Sequence, residues 1–490
     1  MEVSMAKNNR KEFILFRDKV IILIFLLCSL VTLYAIYKFN AIPTKYLMII
    51  VGVILLLFLI GALITMLTKP GKLKNFGKVY SLILSLLLLL GTRYLVTGNS
   101  FLGKLTGANK DTHVISVVVM KDSKYKSIED VKELPIGANT RLDSKNITKG
   151  KKLIDEKYKS DINIVDYEDY TELANDLYDG TQEVILLSEA HRGFIQDEVK
   201  DFDEKTRIIG TVAYEEEVDF KNKNADVMKD TFSMFVTGID TYGPVSSVSR
   251  SDVNMIMTVD PKNKQILLTS IPRDYHVELA SFGAYDKLTH AGIYGVGESM
   301  ATLENLFDID IDYFVKVNFS SVETIIDALG GVDVYSRYAF QSFAGVYFDE
   351  GINHVDGRNG LIFARERYNL PNGDNDRVKN QQALITGILK KAMSPAIITN
   401  YTSILNSVSD SFQMSMEESD FKKLIKQQIN DMSDWDIQSY AVTGTGSSST
   451  TTYSMPGPAL YVMEPNYDTV RQAHDYIEAM ERHEVISVSE

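Results

Sequence analysis

Arginines and aspartates gather at what the hydrophobic pattern marks as strand ends. Asp240 follows the apolar run Thr231 to Thr237 in GIDTYG, Arg250 and Asp252 precede the next run in SRSDVN, and Arg273 and Asp274 follow a third in IPRD. Arg365 and Arg367 stand two apart in FARERY, and Asp374, Asp376, Arg377 and Gln381 open a helical pattern in GDNDRVKNQQ. Arg377 and Gln381 are four apart and share one helical face, with Leu384, Ile385 and Ile388 on the apolar side. That end of the helix also carries positive dipole. Arg365 and Arg367 share a side only if the backbone there is extended.

A lone arginine reads as a surface ion pair. Five arginines placed in a region that holds 15 Lys and Arg against 21 Asp and Glu, between Lys229 and Lys391, read as a local site for a compact, multiply charged anion. The guanidinium fork suits phosphate because it binds bidentately. Asp240 and Asp252 taken singly are turn or capping residues; together they offer hard oxygens to Mg²⁺, with Mn²⁺ as a substitute. No His or Cys lies in range to favour zinc. Lys287 and Lys316 are candidate auxiliary phosphate contacts, and His290 in KLTHAGIYG reads as a hydrogen-bonded structural histidine.

The elements that must position these groups are strands and helices in alternation. Strands are expected at Thr231 to Thr237, Val253 to Val259, Gln265 to Ile271 and Tyr313 to Phe319, with a hairpin turn at Asp260 to Lys264. Helices are expected at Ser299 to Phe307 and at Ser321 to Leu329, the latter with Ser320 as cap and Gly330-Gly331 as stop. The pattern predicts one α/β/α sandwich with a mixed central sheet over residues 229–490, whose strand ends would carry the site. Residues 113–228 read as a small α/β accessory domain of partly parallel sheet, without a catalytic constellation, hence a binding or spacer module.

The chain of 490 residues is 45% hydrophobic and carries a formal charge of −14, which excludes a disordered or fibrous protein and argues against a nucleic-acid partner. Cys28 is the single cysteine, so an intramolecular disulfide is impossible. Residues 20–37, 46–67 and 79–96 each approach the ~20 residues that span a hydrocarbon core. Residues 1–98 are therefore expected to be a membrane anchor of three transmembrane helices, and 99–112 a linker. Lys7, Arg10, Lys11, Arg17 and Lys19 precede the first span, and Lys69, Lys72, Lys74 and Lys78 lie between the second and third. The excess of cations places both segments in the cytoplasm and everything after about residue 98 outside the cell.

At this point DTYGPVSSVSRSDVNMIMTVD, LLTSIPRDYHV, DKLTHAGIYG, FARERY and GDNDRVKNQQ together resemble the LytR-CpsA-Psr family, within it the streptococcal CpsA-type capsule branch. The resemblance is strong from about Asp230 to Met393 and weaker to the C-terminus. It implies a Gram-positive, extracytoplasmic phosphotransferase that moves a glycopolymer with its sugar phosphate, here capsular polysaccharide, from undecaprenyl pyrophosphate to peptidoglycan. Membrane lipid and other capsule-assembly membrane proteins are the further partners it implies. By position Asp240 and Asp252 match the family's magnesium carboxylates, Arg250, Arg273, Arg365, Arg367 and Arg377 its pyrophosphate clamp, and Gln381 a binding-site glutamine. Asp374 matches the aspartate before the last arginine, with Asp376 adjacent to it, and Lys316 falls where many relatives carry arginine. A carboxylate, Asp240 or Asp374, would take the proton of the attacking sugar hydroxyl. The apolar sides of the helices Val322 to Leu329 and Leu384 to Leu389 could hold the prenyl chain. The alternatives are a lipid-pyrophosphate pyrophosphatase or phosphatase, and a membrane regulator or scaffold of capsule synthesis. The expected topology leaves a regulator too little cytoplasmic chain for a DNA-reading domain.

Overall fold

The computed structural model describes residues 17–218, 225–239, 245–395, 404 and 412–488. The chain forms two compact units, Met1–Gly103 with Glu418–Ser433, and Lys104–Glu417 with Asp434–Glu490.

In the first unit, α1 (Asp18–Phe39), α2 (Thr44–Leu67) and α3 (Lys72–Leu105) are each long and apolar enough to cross a membrane. Asn40, at φ 50°, and the residues to Pro43 turn the chain between α1 and α2. The Thr32 and Thr92 hydroxyls, 2.9 Å apart, join α1 to α3, a way to satisfy polar groups that lipid would leave unpaired. Asp18 pairs with Lys74 at 2.6 Å and Lys78 at 2.9 Å, so the first turns of α1 and α3 lie at the same end. At 34 residues α3 exceeds what a hydrocarbon core needs. Residues 99–105, expected as linker, are its last turns, because Asn99 to Leu105 holds no helix breaker except Gly103.

The helix Glu418–Asp431, expected within the 229–490 domain, groups with the apolar helices instead. Lys422 explains the attachment. Its ammonium donates to Asn99 Oδ1 at 2.6 Å, pairs with Glu418 and lies 5.8 Å from the centre of the Phe39 ring.

The second unit opens with a five-stranded sheet of β1 (Lys110–Met120), β2 (Pro135–Asn139), β3 (Asn163–Tyr167), β4 (Val184–Ser188) and β5 (Thr206–Glu217), ordered β3-β2-β4-β1-β5. β2 runs parallel to β3 and β4, and β1 antiparallel to β4 and β5. α4 (Ser144–Tyr158) packs Ile147 and Ile154 on one face with Val117 and Leu186. α5 (Tyr170–Asp179), α6 (Arg192–Glu198) and the short α7 (Phe202–Lys205) cover the other face, packing Leu173, Phe194 and Phe202 against Val118 and Leu187. That second core also takes in Val248 and Ile293, so the first sheet is built onto the second.

The remaining chain gives β6 (Phe232–Ile239), β7 (Ser251–Asp260), β8 (Gln265–Ile271), β9 (His276–Leu279), β10 (Ala284–Lys287), α8 (Leu288–Ala291), α9 (Val296–Phe307), β11 (Tyr313–Asn318) and α10 (Phe319–Ala328). It continues through β12 (Val332–Ser336), β13 (Phe340–Gln341), β14 (Tyr347–Phe348), β15 (Gly351–Val355), α11 (Gly357–Arg365) and α12 (Asp374–Ala392). The central sheet is mixed, in the order β16-β11-β6-β7-β8-β17, its edges being β16 (Phe412–Met414) and β17 (Asp436–Ala441). β18 (Gly444–Ser449), β19 (Leu460–Pro465) and α13 (Tyr467–Glu481) close the fold. α10 starts two residues earlier than expected: Asn318, not Ser320, caps it by accepting the Ser321 N–H at 2.8 Å.

One face of the central sheet is sealed. Phe235, Ile256, Leu267 and Phe314 pack with Met300, Leu303 and Phe307 of α9 and Ile477 of α13. Of the residues that alternate with them, Met234, Met255 and Leu268 are buried, while Val236, Val253, Met257, Val315 and Val317 are half-buried. On the helical layer Val322 and Ile325 of α10 and Ile385, Ile388 and Leu389 of α12 are half-buried too. The core beneath that layer, Ile326, Val332, Phe363 and Leu384 among its members, includes no residue of the central sheet.

Candidate functional site

The antiparallel register of β7 and β8 sets Asn254 opposite Ile271, and two residues further it sets Asp252 opposite Arg273. Arg273 Nη1 donates to Asp252 Oδ1 at 2.8 Å, and its Nε lies 3.7 Å from Asp274 Oδ2. Asp274 Oδ1 accepts from Lys287 Nζ at 3.0 Å, so the end of β10 joins the group. Burial works against the charge on Arg273, but Asp252, Asp274 and Asp374 outweigh it and raise its pKa further.

Asp374 comes from α12. Gly373 precedes that helix at φ +56°, which favours glycine and turns the chain so that the first helical turn faces the β8 end. Arg377 Nη2 lies 2.8 Å from Asp374 Oδ1. Burial pushes the Arg377 pKa below the usual arginine value, and repulsion from Arg273 and Arg367 adds to it, against the pull of Asp374 and Asp252. Arg273 and Arg367 therefore both lie within electrostatic reach of Arg377. The buried Nε atoms of Arg273 and Arg377 have no hydrogen-bond partner among the described residues. Crowded cations with unpaired donors gain from an anion that brings acceptor oxygens. Gln381 is half-buried one turn along α12. Asp376 instead accepts the Asn372 N–H at 2.9 Å and shapes the turn, so Asp374 is the aspartate that meets the arginine.

Arg367 is placed by a residue that sequence reasoning passed over. Glu366 is fully buried and its carboxylate accepts the backbone N–H groups of Arg367 and Tyr368 at 2.9 Å, Asn369 at 3.1 Å and Phe343 at 2.5 Å. Burial raises its pKa, and these backbone donors outweigh burial and hold it below the ordinary glutamate value. A glutamate between two arginines reads as an ion pair in sequence; its backbone donors are visible only in the fold. Gln382 was likewise missed. It donates to Tyr440 O at 2.7 Å and Leu268 O at 3.4 Å, fastening α12 to β17 and β8.

Other expected residues stand apart. Arg365 ends α11, is exposed and lies 4.7 Å from the centre of the Phe319 ring, so it and Arg367 do not share an extended segment as expected. Lys316, expected at the phosphate, points to the sealed side of β11. It is buried there, donating to Asp111 Oδ1 at 2.7 Å and to the carbonyls of Ser246 and Ser247 at 3.2 Å. Strand alternation explains the correction, since Lys316 shares its face with Phe314. Arg250 pairs with Asp197 of α6 at 2.7 Å. His290 is buried and bonds Asp286 Oδ1 at 2.6 Å through Nδ1. Asp240 lies outside the described residues.

The donor set suits a hard cation in part. Asp252 brings carboxylate oxygens to the arginine group, as a magnesium site next to phosphate requires. Among the described residues, three or more metal-ligating side chains come within mutual reach only at His474, Asp475 and Glu478 on α13, two of them exposed.

Comparison with known proteins gives three results. A model of the LytR_cpsA_psr family matches residues 200–468, more than half of the chain. A second model, DNA polymerase processivity factor, matches residues 71–187, a minority of the chain that runs from the apolar α3 into the first sheet. Among curated relatives, the polyisoprenyl-teichoic acid–peptidoglycan teichoic acid transferase TagU of Enterococcus faecalis is 38% identical over 200 residues, 40% of this chain and 65% of the relative. The protein of the same name from Bacillus subtilis is 32% identical over 228 residues, 45% of this chain and 70% of the relative. The chain thus spans just under two thirds of the length of several of the curated relatives it matches. Among solved structures, Bacillus subtilis TagV is 26% identical with a TM-score of 0.44, over 53% of this chain and 99% of that one.

Proposed function

Because this chain belongs to the LytR_cpsA_psr family, we propose that it transfers a glycopolymer phosphate from a polyprenyl pyrophosphate carrier to peptidoglycan at the outer face of the membrane. The relatives named as polyisoprenyl-teichoic acid–peptidoglycan transferases support the reaction class. The observation that carries the reading for this chain is the convergence of Arg273, Arg367 and Arg377, with unpaired buried Nε donors on two of them. Capsular polysaccharide is the cargo that the sequence resemblance favours, and teichoic acid is the one in the relatives' names.

In this reading the three guanidiniums and the N-terminus of α12 neutralise the pyrophosphate and stabilise the charge left on the departing polyprenyl phosphate. A sugar hydroxyl of peptidoglycan attacks the phosphorus next to the glycan, the new O–P bond forms as the bond to the polyprenyl phosphate oxygen breaks, and a carboxylate takes the hydroxyl proton. Asp240 or Asp374 is that base. Asp374 already holds Arg377, which gives it an orienting role as well. Asp240 and Asp252 would hold Mg²⁺ or Mn²⁺, which would supply further neutralisation of the phosphate charge. The half-buried Val236, Val253, Met257, Val315 and Val317 of the sheet face and Ile385 and Leu389 of α12 would take the prenyl chain, since they are partly exposed apolar groups outside the core clusters. The cations around α1 and at the start of α3 support a topology with those ends inside the cell and the site outside.

The test is to supply the purified full chain with a polyprenyl-pyrophosphate-linked glycan and peptidoglycan fragments. Transfer predicts glycan covalently attached to the fragments and a polyprenyl monophosphate. Release of free phosphorylated glycan alone would assign a hydrolase instead.

A further inference from the structure

We propose that the first sheet serves the donor site through one helix: Asp197 of α6 is the positioning residue of Arg250. This rests on the reading above with one addition, that Arg250, which the sequence resemblance assigns to the pyrophosphate clamp and which stands two residues before Asp252, joins its three guanidiniums at the donor. Arg250 stands immediately before β7, and its Nη1 lies 2.7 Å from Asp197 Oδ2. One turn earlier on the same face of α6, Gly193 lies against the guanidinium. A Cβ there would fall 2.5 Å from Arg250 Cζ and 2.7 Å from Nε and Nη2, so only glycine lets the arginine come this close. Two residues four apart on one helix thus address one side chain, Gly193 by admitting it and Asp197 by holding one end of its fork.

α6 itself is firmly set. Phe194 meets the His290 ring edge-on at 4.9 Å and shares a core with Val248 and Ile293, close in sequence to either side of the Arg250 segment and of α8. Arg192, next to Gly193, is bonded to Glu189 and Asp203. Holding a long, flexible arginine before the donor arrives removes ordering cost from binding. Asp197 is half-exposed and its pair is a surface ion pair, which on its own adds little to stability. A positioning role and a purely structural one therefore separate cleanly.

The experiment measures transfer from a polyprenyl-pyrophosphate-linked glycan by the full chain carrying D197N, D197E, G193A or R250A, with thermal unfolding of each variant. D197N and G193A are expected to raise the donor KM about threefold to tenfold with kcat within about twofold. D197E should restore the KM, D197N should leave the unfolding midpoint unchanged, and R250A should raise the KM at least as far as D197N. An unchanged donor KM in D197N beside a raised one in R250A overturns the inference while sparing the clamp. No effect of R250A removes Arg250 from the clamp, and the inference falls with its premise. A lower KM in D197N also overturns it, because Asp197 would then compete with the donor.

Discussion

Asp252 and Arg273 face each other across β7 and β8, two residues beyond the ladder pair Asn254 and Ile271, with Arg273 Nη1 2.8 Å from Asp252 Oδ1. An expected metal carboxylate and an expected phosphate arginine are thus bound to each other. In the proposed reading the donor takes Arg273 and the cation takes Asp252, so phosphate on the one and metal on the other should each help the other to bind.

That coupling is measurable. The activity of the wild-type chain should vanish with chelator and return with Mg²⁺ or Mn²⁺, and D252N should need a higher metal concentration for half-maximal transfer. Metal titrations at low and saturating donor check the link: the half-maximal concentration should fall as donor rises. Full activity in chelator would remove the cation from the site.

Loss of a charge-assisted contact costs about 1.5–3 kcal/mol. R273A and R377A should therefore each lower kcat/KM roughly 10-fold to 150-fold, and R273K and R377K should recover only part of it, because an ammonium lacks the fork. Steady-state transfer with one donor measures both. K316A makes the contrast. It should act on stability, through the buried Asp111 that would lose its ion-pair partner and keep only the Val296 N–H, rather than on donor KM at a temperature where it is folded.

Glu366 should matter through stability and its pH dependence. Its folded pKa is depressed, so its contribution is complete above the unfolded glutamate value of about 4.3 and is lost as pH falls through the lower folded value. E366Q should lose stability at neutral pH, on the order of 1–3 kcal/mol, and should flatten the acid limb of the unfolding midpoint below about pH 4.5. Thermal melts from pH 3 to 7 read both. An unaltered acid limb would mean that the carboxylate is not the acceptor of those four N–H groups.

Asp143, just before α4, predicts the opposite sign. Burial pushes its pKa up to about 8, against hydrogen bonds from Asn146 and Ser188, beside a His191 whose own pKa burial lowers to about 3. A carboxyl with a raised folded pKa costs stability increasingly as pH climbs from its unfolded value towards 8. D143N should therefore raise the unfolding midpoint more at pH 7.5 than at pH 5. Equal shifts at the two pH values would show that Asp143 is charged in the fold.

The apolar faces give a last prediction. Val317→Glu and Leu389→Glu alter half-buried residues outside the core clusters, so they should weaken retention of polyprenyl phosphate in the purified protein while changing the unfolding midpoint little. A collapse in stability with lipid binding unchanged would make these positions ordinary core.

Much of this architecture was legible in local chemistry. Apolar runs of membrane length mark α1, α2 and α3, and strand runs broken at Asp260 to Lys264 and Gly330-Gly331 mark the mixed sheet, because burial period and turn residues act over a few positions. The spacing of Arg377 and Gln381 fixed their common face on α12 in the same way. The choice of arginine for the site was legible too, since charge type is local.

Partners were not. Whether Lys316 meets phosphate or Asp111 depends on which face of β11 is sealed by α9, and whether Arg250 stands free or against α6 depends on how the first sheet packs on the second. Glu366 became a knot of four N–H groups, and Glu418–Asp431 joined the membrane helices, through contacts between distant segments. Sequence by itself determined which elements form and what chemistry they can carry, because propensity and period are short-range. Tertiary structure decided which charge meets which, because an ion pair is chosen by distance and burial, and those exist only once the chain has folded.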